Sequence, residues 1–379
     1  MRGAHGSSFT VRYFDAANAR GAGAVNDTDE SMQTDGSLAA AFVKSGSGTT
    51  DVALWKPGDA LTQRRSTLDL YRFELDHSLR RFAQAELLGS SGPSVNPTVL
   101  TGDVDVSSAG SEIIVVGGET SGRTRVCVFG GMDDTGLRLV GDFYMPRRAV
   151  GSAPSVPTIG DVVGGAKHAG PEIIVGGQRG RVYAVGLTEG RASVLSVLRA
   201  FPDRPLATAQ RLAVGDVIPD NPGDEVVVGD DGSVGDALVR IFDGRTQRAL
   251  AEFEAFSPGM APAGVELWVG DLVADLPGAE LVVGQGSAGG ALRIFTLASG
   301  VPTFVLDVPD PLSRTAILHG QFAIGNLLPE LDGNEIAVAQ GNSKAPIQVF
   351  NFNADRNHQV ATLQPPAEME AVTAIATTP

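Results

Sequence analysis

Apolar positions along this chain fall in runs of about five residues, rich in Val, Ile and Leu and separated by Gly, Pro, Asp and Asn. The runs return in sets of four. A first run closes on Gly102-Asp103, Gly160-Asp161, Gly215-Asp216, Gly270-Asp271 and Gly325-Asn326, at steps of 58, 55, 55 and 55 residues. A second opens on an acid: EIIVVGG from Glu112, EIIVGGQ from Glu172, EVVVGDD from Glu225, ELVVGQG from Glu280 and EIAVAQG from Glu335. A third (RVCVFG, RVYAVG, LVRIFDG, LRIFTL, IQVFNF) and a fourth (LRLVGDFYMP, SVLSVLRAF, ALAEFEAF, PTFVLDV, QVATLQ) complete each set. Short β-branched runs bounded by turn residues predict strands. Four strands per repeat is the pattern of a β-propeller blade. Stacked helix pairs would need a 3.6-residue period over longer segments, and none is present.

A weaker set comes first: LAAAFVKSGSGTTDVALWKPG, LDLYRFEL and RRFAQAELL, with Asp51 where the others carry Glu. The ends of the chain complement each other. AVTAIATTP at the C-terminus reads as a first strand, and SFTVRYFD near the N-terminus matches the third-strand pattern. A blade built from both termini closes a ring and removes free sheet edges. The expectation is therefore all-β: a seven-bladed β-propeller of about 55-residue four-stranded repeats in one domain, 1–379, with the last blade shared between the N- and C-termini. The blades fall at about 38–90, 98–146, 156–201, 211–256, 265–310, 320–365, and 371–379 with 8–26. The shared blade lacks an obvious second strand. Residues 1–7 or 18–26 fill that place, or the blade stays open and offers an edge for strand addition.

Composition narrows the function classes. With 48 Gly and 22 Pro, chain reversals are frequent, as many short strands require. A net charge of −15 argues against nucleic acid and anionic membranes, which are held by cationic surfaces. No apolar run reaches 18 residues, so no membrane span is expected. The opening MRGAHGSSFTVRYFD lacks the apolar stretch of a signal peptide. The single cysteine, Cys127, excludes an intramolecular disulfide and sits in an apolar run as a small buried hydrophobe.

The Gly-Asp, the Gly-x-Glu before the second run, and the phrase DALVRIFDGRTQRALAEFEAF (236–256) resemble the FG-GAP and VCBS-type repeats of integrin-α-like propellers. The resemblance covers about residues 38–379. It implies a bacterial adhesion or protein-binding module, secreted or at the cell surface. It also implies calcium in the loop between the first two strands, held by Asp-x-Asp-x-Asp-Gly. This chain departs from that motif, because Ile218, Val273 and Leu328 stand at the third loop position. Positions one, five and ten still offer Asp216, Asp220 and Glu225; Asp271, Asp275 and Glu280; and Asn326, Glu330 and Glu335. Calcium takes six to eight oxygens, several of them anionic, so these nine residues are the candidate metal ligands. The competing reading is structural: an Asp before a tight loop accepts backbone N–H bonds, and a Glu opening a strand satisfies donors of the adjacent loop.

Other chemistry is sparse. The five histidines show no metal spacing, and no Gly-x-Ser-x-Gly elbow, Walker loop or dinucleotide fingerprint occurs. The loops after the second runs offer Arg123, Arg179, Arg181, Asp230, Asp231 and Lys344 as surface candidates. Trp55, at a strand end, is a candidate carbohydrate platform, whereas Trp268 and the third-strand Phe129, Phe242, Phe295 and Phe350 read as packing. The reading that follows is a non-catalytic binding or adhesion scaffold with a protein partner. Its alternatives are a polysaccharide-active propeller enzyme or lectin, which would bind carbohydrate, and a structural subunit of a larger assembly.

Overall fold

The computed structural model describes residues 9–15, 20–27, 39–44, 50–58, 65–73, 79–87, 92–108, 110–119, 121–131, 136–146, 156–165, 168–202, 211–232, 237–261, 263–286, 291–308, 322–328, 331–339, 346–353 and 356–363. Each apolar run becomes a strand, and each set of four becomes one antiparallel meander. A hairpin comes first, β1 (Phe9–Asp15) with β2 (Arg20–Asp27). Blade 1 is β3 (Ala39–Lys44), β4 (Thr50–Lys56), β5 (Thr67–Phe73) and β6 (Leu79–Glu86). Blade 2 is β7 (Val95–Gly102), β8 (Glu112–Gly118), β9 (Thr124–Gly130) and β10 (Arg138–Tyr144). Blade 3 is β11 (Thr158–Gly160), β12 (Glu172–Gly176), β13 (Arg181–Thr188) and β14 (Arg191–Arg199). Blade 4 is β15 (Arg211–Gly215), β16 (Glu225–Gly229), β17 (Leu238–Asp243) and β18 (Ala249–Glu254). Blade 5 is β19 (Val265–Gly270), β20 (Glu280–Gln285), β21 (Leu292–Thr296) and β22 (Thr303–Val308). Blade 6 is β23 (Phe322–Gly325), β24 (Glu335–Val338), β25 (Ile347–Asn353) and β26 (Arg356–Leu363).

The architecture is an all-β propeller with six four-stranded blades among the described residues, not seven. The expected shared blade is present only as the two-stranded sheet β1–β2, and 371–379 lie outside the described residues. The pairing register shows which half of a blade that hairpin resembles. In every blade the third and fourth strands slip by one residue, the extra residue lying on the fourth strand: Phe82, Val140, Leu195, Leu250, Val305 and Val360. The β1–β2 pair slips in the same way at Ala22. Residues 20–27 are thus a fourth-strand partner for β1, not the missing second strand. A bulge at this place bends the outer strand and increases its twist.

The second strands read as unbroken apolar runs because both of their faces are covered. Successive side chains of a strand point to opposite faces. Ile113 and Val115 pack in a cluster with blade 1 residues such as Trp55, while Ile114 and Val116 pack with blade 3 residues such as Ile173. Five such clusters occur, each between two successive blades from 1 to 6. The third-strand phenylalanines Phe129, Phe242, Phe295 and Phe350 belong to them, as expected of packing residues. Cys127 is buried there too, and burial pushes its thiol up to about 12.

The glycine of each Gly-Asp has a packing role between blades. A Cβ on Gly215 would stand 2.6 Å from Cγ1 of Val269, the residue before the glycine in blade 5. A Cβ on Gly270 would stand 2.7 Å from Cγ2 of Ile324, and one on Gly102 would stand 3.1 Å from Cδ1 of Ile159. Gly160 meets Val214 in the same way. The first strand of each of these blades therefore keeps a hollow that the first strand of the following blade fills.

Candidate functional site

The loops between first and second strands hold the candidate metal ligands, and their geometry repeats around the ring. Each loop turns back onto the glutamate that opens the second strand. Glu225 is fully buried, and its Oε2 accepts the backbone N–H groups of Val217 and Ile218, both at 2.9 Å. Glu280 does the same for Leu272 and Val273 at 2.8 and 2.9 Å, and Glu335 for Leu327 and Leu328 at 2.8 and 2.9 Å. Glu112 accepts from Val104 and Asp105, and Glu172 from Val162 and Val163. A loop forced inward by packing would otherwise bury two backbone donors without partners, at about 1–3 kcal/mol each. One carboxylate oxygen satisfies both.

The second oxygen is treated differently from blade to blade, and in three of the five it accepts a side-chain hydrogen bond. Asn221 Nδ2 donates to Glu225 Oε1 at 2.6 Å, Asn351 Nδ2 to Glu335 Oε1 at 2.8 Å, and Ser108 Oγ to Glu112 Oε1. In blade 3 His168 stands nearby, its Nδ1 3.5 Å from Glu172 Oε1, but that oxygen is buried without a hydrogen-bond partner. His168 Nδ1 is also 2.7 Å from the Gly170 carbonyl, and Nε2 is 3.1 Å from that of Leu187. Glu280 Oε1 is buried with no hydrogen-bond partner. Burial raises the carboxyls of Glu112, Glu172 and Glu225 above their ordinary value, and that of Glu280 to about 7.

This arrangement does not fit calcium. At the third loop position, where a calcium loop needs an oxygen, Ile218, Val273 and Leu328 are buried. Ile218 packs in the cluster between blades 4 and 5, and Val273 in the one between blades 5 and 6. The position-one Asp216, Asp271 and Asn326 and the position-five Asp220 and Asp275 are exposed, whereas Glu225, Glu280 and Glu335 face inward on loop amides. Glu330 lies outside the described residues. Among the described residues, no three His, Cys, Asp or Glu side chains stand together as a metal site. The position-one residues act through their backbone: the carbonyls of Asp161, Asp216 and Asp271 accept N–H bonds from Asp224, Ala279 and Asn334 of the following blade. The one acid at position three, Asp105, reaches blade 3. Its carboxylate accepts from Glu189 N at 3.1 Å and Gly190 N at 2.9 Å, as well as from Ser107.

At the other strand ends the Arg123 loop is tied to its own blade, whereas the Asp230 carbonyl accepts the Val265 N–H of the following blade at 3.0 Å. Arg123 lies over the Tyr144 ring at 3.8 Å, and Arg125 joins Glu119 at 3.1 Å and Asp142 at 2.6 Å. Asp230 is buried, Arg179 is exposed at a φ of 57°, Arg181 and Asp231 are half-buried, and Lys344 lies outside the described residues. Trp55 is no platform: it is fully buried, and its Nε1 donates to the Pro93 carbonyl at 2.8 Å. Trp268 is half-buried and packs beside Phe322 with ring centroids 4.2 Å apart, against the cluster between blades 5 and 6.

Two further residues missed by the sequence reading join blades. Arg240 Nη1 donates to the Ala200 carbonyl at 2.7 Å with its guanidinium over the Phe201 ring, and its Nε pairs with Glu252. Arg293 repeats this with Ala255 at 2.8 Å, Phe256 and Asp307. The signal was present as Arg-Ile-Phe in third runs and Ala-Phe after fourth runs.

The exposed apolar side chains gather on the outer strands. Among the described residues nine large ones are exposed, and six of these lie on fourth strands: Leu139, Tyr144, Val194, Val197, Phe304 and Val360. The other three are Val106, Met260 and Val301.

These features define the class: a β-propeller whose repeated polar residues secure loops and join blades. No protein-family model and no curated protein sequence matches the chain. Among solved structures it is similar to Sqt1 from Chaetomium thermophilum, at 16% identity and a TM-score of 0.50, over 86% of this chain and 71% of that one. It is also similar to a periplasmic gluconolactonase of Pseudomonas aeruginosa, at 17% identity and a TM-score of 0.50, over 96% and 92%. Likeness at this level shows the propeller fold and nothing finer. The FG-GAP and VCBS expectation is corrected accordingly: the blades number six among the described residues, the neighbours are of other kinds, and the recurring Gly-Asp and Glu have structural roles. The extracellular location that the resemblance implied loses its warrant with it. No helix among the described residues is long and apolar enough to cross a membrane.

Proposed function

We propose that the protein is a non-catalytic scaffold that binds a protein partner on the outer rim of its propeller. The observation that carries this reading is the placement of six exposed apolar side chains on fourth strands. A fourth strand is the last of its sheet, so one of its edges lacks a strand partner within the sheet. Exposed apolar residues on such edges mark surfaces that other proteins cover. The blade-to-blade contacts described above hold that rim in place, which lowers the ordering cost of binding.

The test is site-specific photo-cross-linking. A photoreactive phenylalanine analogue is placed singly at Val194, Phe304 and, as a control away from the rim strands, at the exposed loop residue Asp220, and expressed in the source cells. One protein cross-linked from Val194 or Phe304 and not from Asp220 is the expected result. Cross-links from Asp220 alone, or from none of the three, would overturn the reading.

A further inference from the structure

We infer that β14, the outer strand of blade 3, is a docking edge for an extended, acid-flanked segment of a partner protein. The inference rests on the scaffold reading and specifies its site and chemistry. β14 is nine residues long, Arg-Ala-Ser-Val-Leu-Ser-Val-Leu-Arg, and ends the sheet order β11-β12-β13-β14. Its seven central residues, 192–198, carry no charge. Val194 is 44% exposed and Val197 is 39% exposed. Outer strands are guarded against foreign strands by charges within them. β18 carries Glu252 and Glu254, β22 carries Asp307, and β10 carries Asp142. The centre of β14 has no such guard.

Charge identifies the occupant. Arg191 and Arg199 stand exposed at the two ends of β14. Arg181 is the ladder partner of Arg199, and Arg179 is exposed just before it. None of these four arginines forms an ion pair among the described residues, in a chain whose net charge is −15. The acids at the Arg191 end are Glu189, in the adjoining turn, and Asp105 of blade 2, whose carboxylate is engaged by the Glu189 and Gly190 amides. A strand added to this edge takes its main-chain hydrogen bonds from β14, contacts Val194 and Val197, and meets a cationic group at each end. Carboxylates flanking a short β-branched core complement that surface, and a basic strand is repelled by it.

The test uses a displayed library of random 12-residue peptides, selected on the immobilised protein and counter-selected on the Val194→Lys variant. Recovered peptides are then titrated by fluorescence anisotropy against the wild type, Val194→Lys and Arg191→Glu/Arg199→Glu, each first shown to melt like the wild type. The expected peptides have acidic ends around alternating Val, Ile or Thr. They lose at least tenfold in affinity on either variant, and they weaken as salt rises. Recovery of no binders, or of binders without acidic enrichment, overturns the inference. Binders that hold Val194→Lys as tightly as the wild type also overturn it, but leave the scaffold reading standing if cross-links arise from another rim strand. Self-association in sedimentation that Val194→Lys abolishes makes a second copy of the chain the occupant, and overturns it as well.

Discussion

Replacing Gly215 with alanine tests whether the Gly-Asp glycines serve blade packing rather than turn formation. Gly215 has no left-handed φ, so alanine meets no backbone penalty there. The obstacle is a side chain: the new Cβ would stand 2.6 Å from Val269 Cγ1 and 3.4 Å from Val269 Cβ. Carbon atoms rest at about 3.5–4.0 Å, so blade 5 must shift or Val269 must leave its rotamer. Overpacking of this kind costs about 1–3 kcal/mol. Val269→Ala alone removes two partly buried methyl groups and costs about 1–2 kcal/mol. It also removes the obstacle, so the double variant should be about as stable as Val269→Ala by itself. The cycle then shows a favourable coupling of about 1–3 kcal/mol. Urea unfolding followed by tryptophan fluorescence measures it, with Trp268 adjacent to the altered contact. Costs that add to within about 0.5 kcal/mol would refute the argument.

Four other expectations follow from the same contacts. Burial raises the Glu280 carboxyl from 4.5 to about 7. The folded state is therefore the better proton binder between those values, and stability is fullest below pH 4.5 and falls as the pH climbs through 7. Glu280→Gln removes that slope, gaining about 3 kcal/mol on the wild type between pH 4.5 and 8 at about 1.4 kcal/mol per pH unit; parallel stability curves for the two proteins would contradict it. Arg240→Met and Arg293→Met each lose a bond to a preceding-blade carbonyl and a ring contact, so each should cost about 2 kcal/mol in urea unfolding; a large inequality between them would show that the two sites are not equivalent. Burial pushes the Asp105 carboxyl up, but hydrogen bonds from Ser107, Gly190 and Glu189 outweigh it and hold the group below its ordinary value. Its stabilisation is present above the usual carboxylate range and lost as the pH falls through the lowered folded value; Asp105→Ala should cost about 2 kcal/mol at pH 7 and progressively less in acid. Millimolar calcium added to chelator-treated protein should leave the melting temperature unchanged, and an upward shift lost in Asp216→Ala would return these loops to metal binding.

Blades were legible in the chain because a blade is a local object. Its four runs are consecutive, and its turns carry Gly, Pro and Asp. The structural reading of Glu225 and its equivalents was also within reach, since an acid opening a strand beside a tight loop has donors near it. What lay out of reach were relations between blades. The partner of Gly215 is Val269, 54 positions on, and nothing in either run names the other. The same holds for Asp105 with Gly190, while Arg240 and Ala200 left repeated tripeptide and dipeptide traces that did not pair them. Trp55 looked free because Pro57 and Gly58 follow it, but its ring is covered by a neighbouring blade. The seventh blade was inferred from a first-strand pattern at 371–379, outside the described residues, and from β1, whose only described partner is β2. The rim, too, was invisible in sequence, because Val194 and Val197 resemble any other β-branched residues until the sheet order makes theirs the last strand.

The chain of filled glycine hollows gives the ring a direction. From blade 2 to blade 5 each first strand offers a hollow forward, and from blade 3 to blade 6 each inserts a side chain backward. As the protein leaves the ribosome, at roughly 5–20 residues per second, a finished blade carries an empty hollow for the few seconds until the next first strand appears. The inserting side chain always arrives to a seat already formed. Trimming blades from the two ends is accordingly not equivalent: loss of blade 6 vacates a hollow at Gly270, whereas loss of blade 2 leaves Ile159 projecting without a seat.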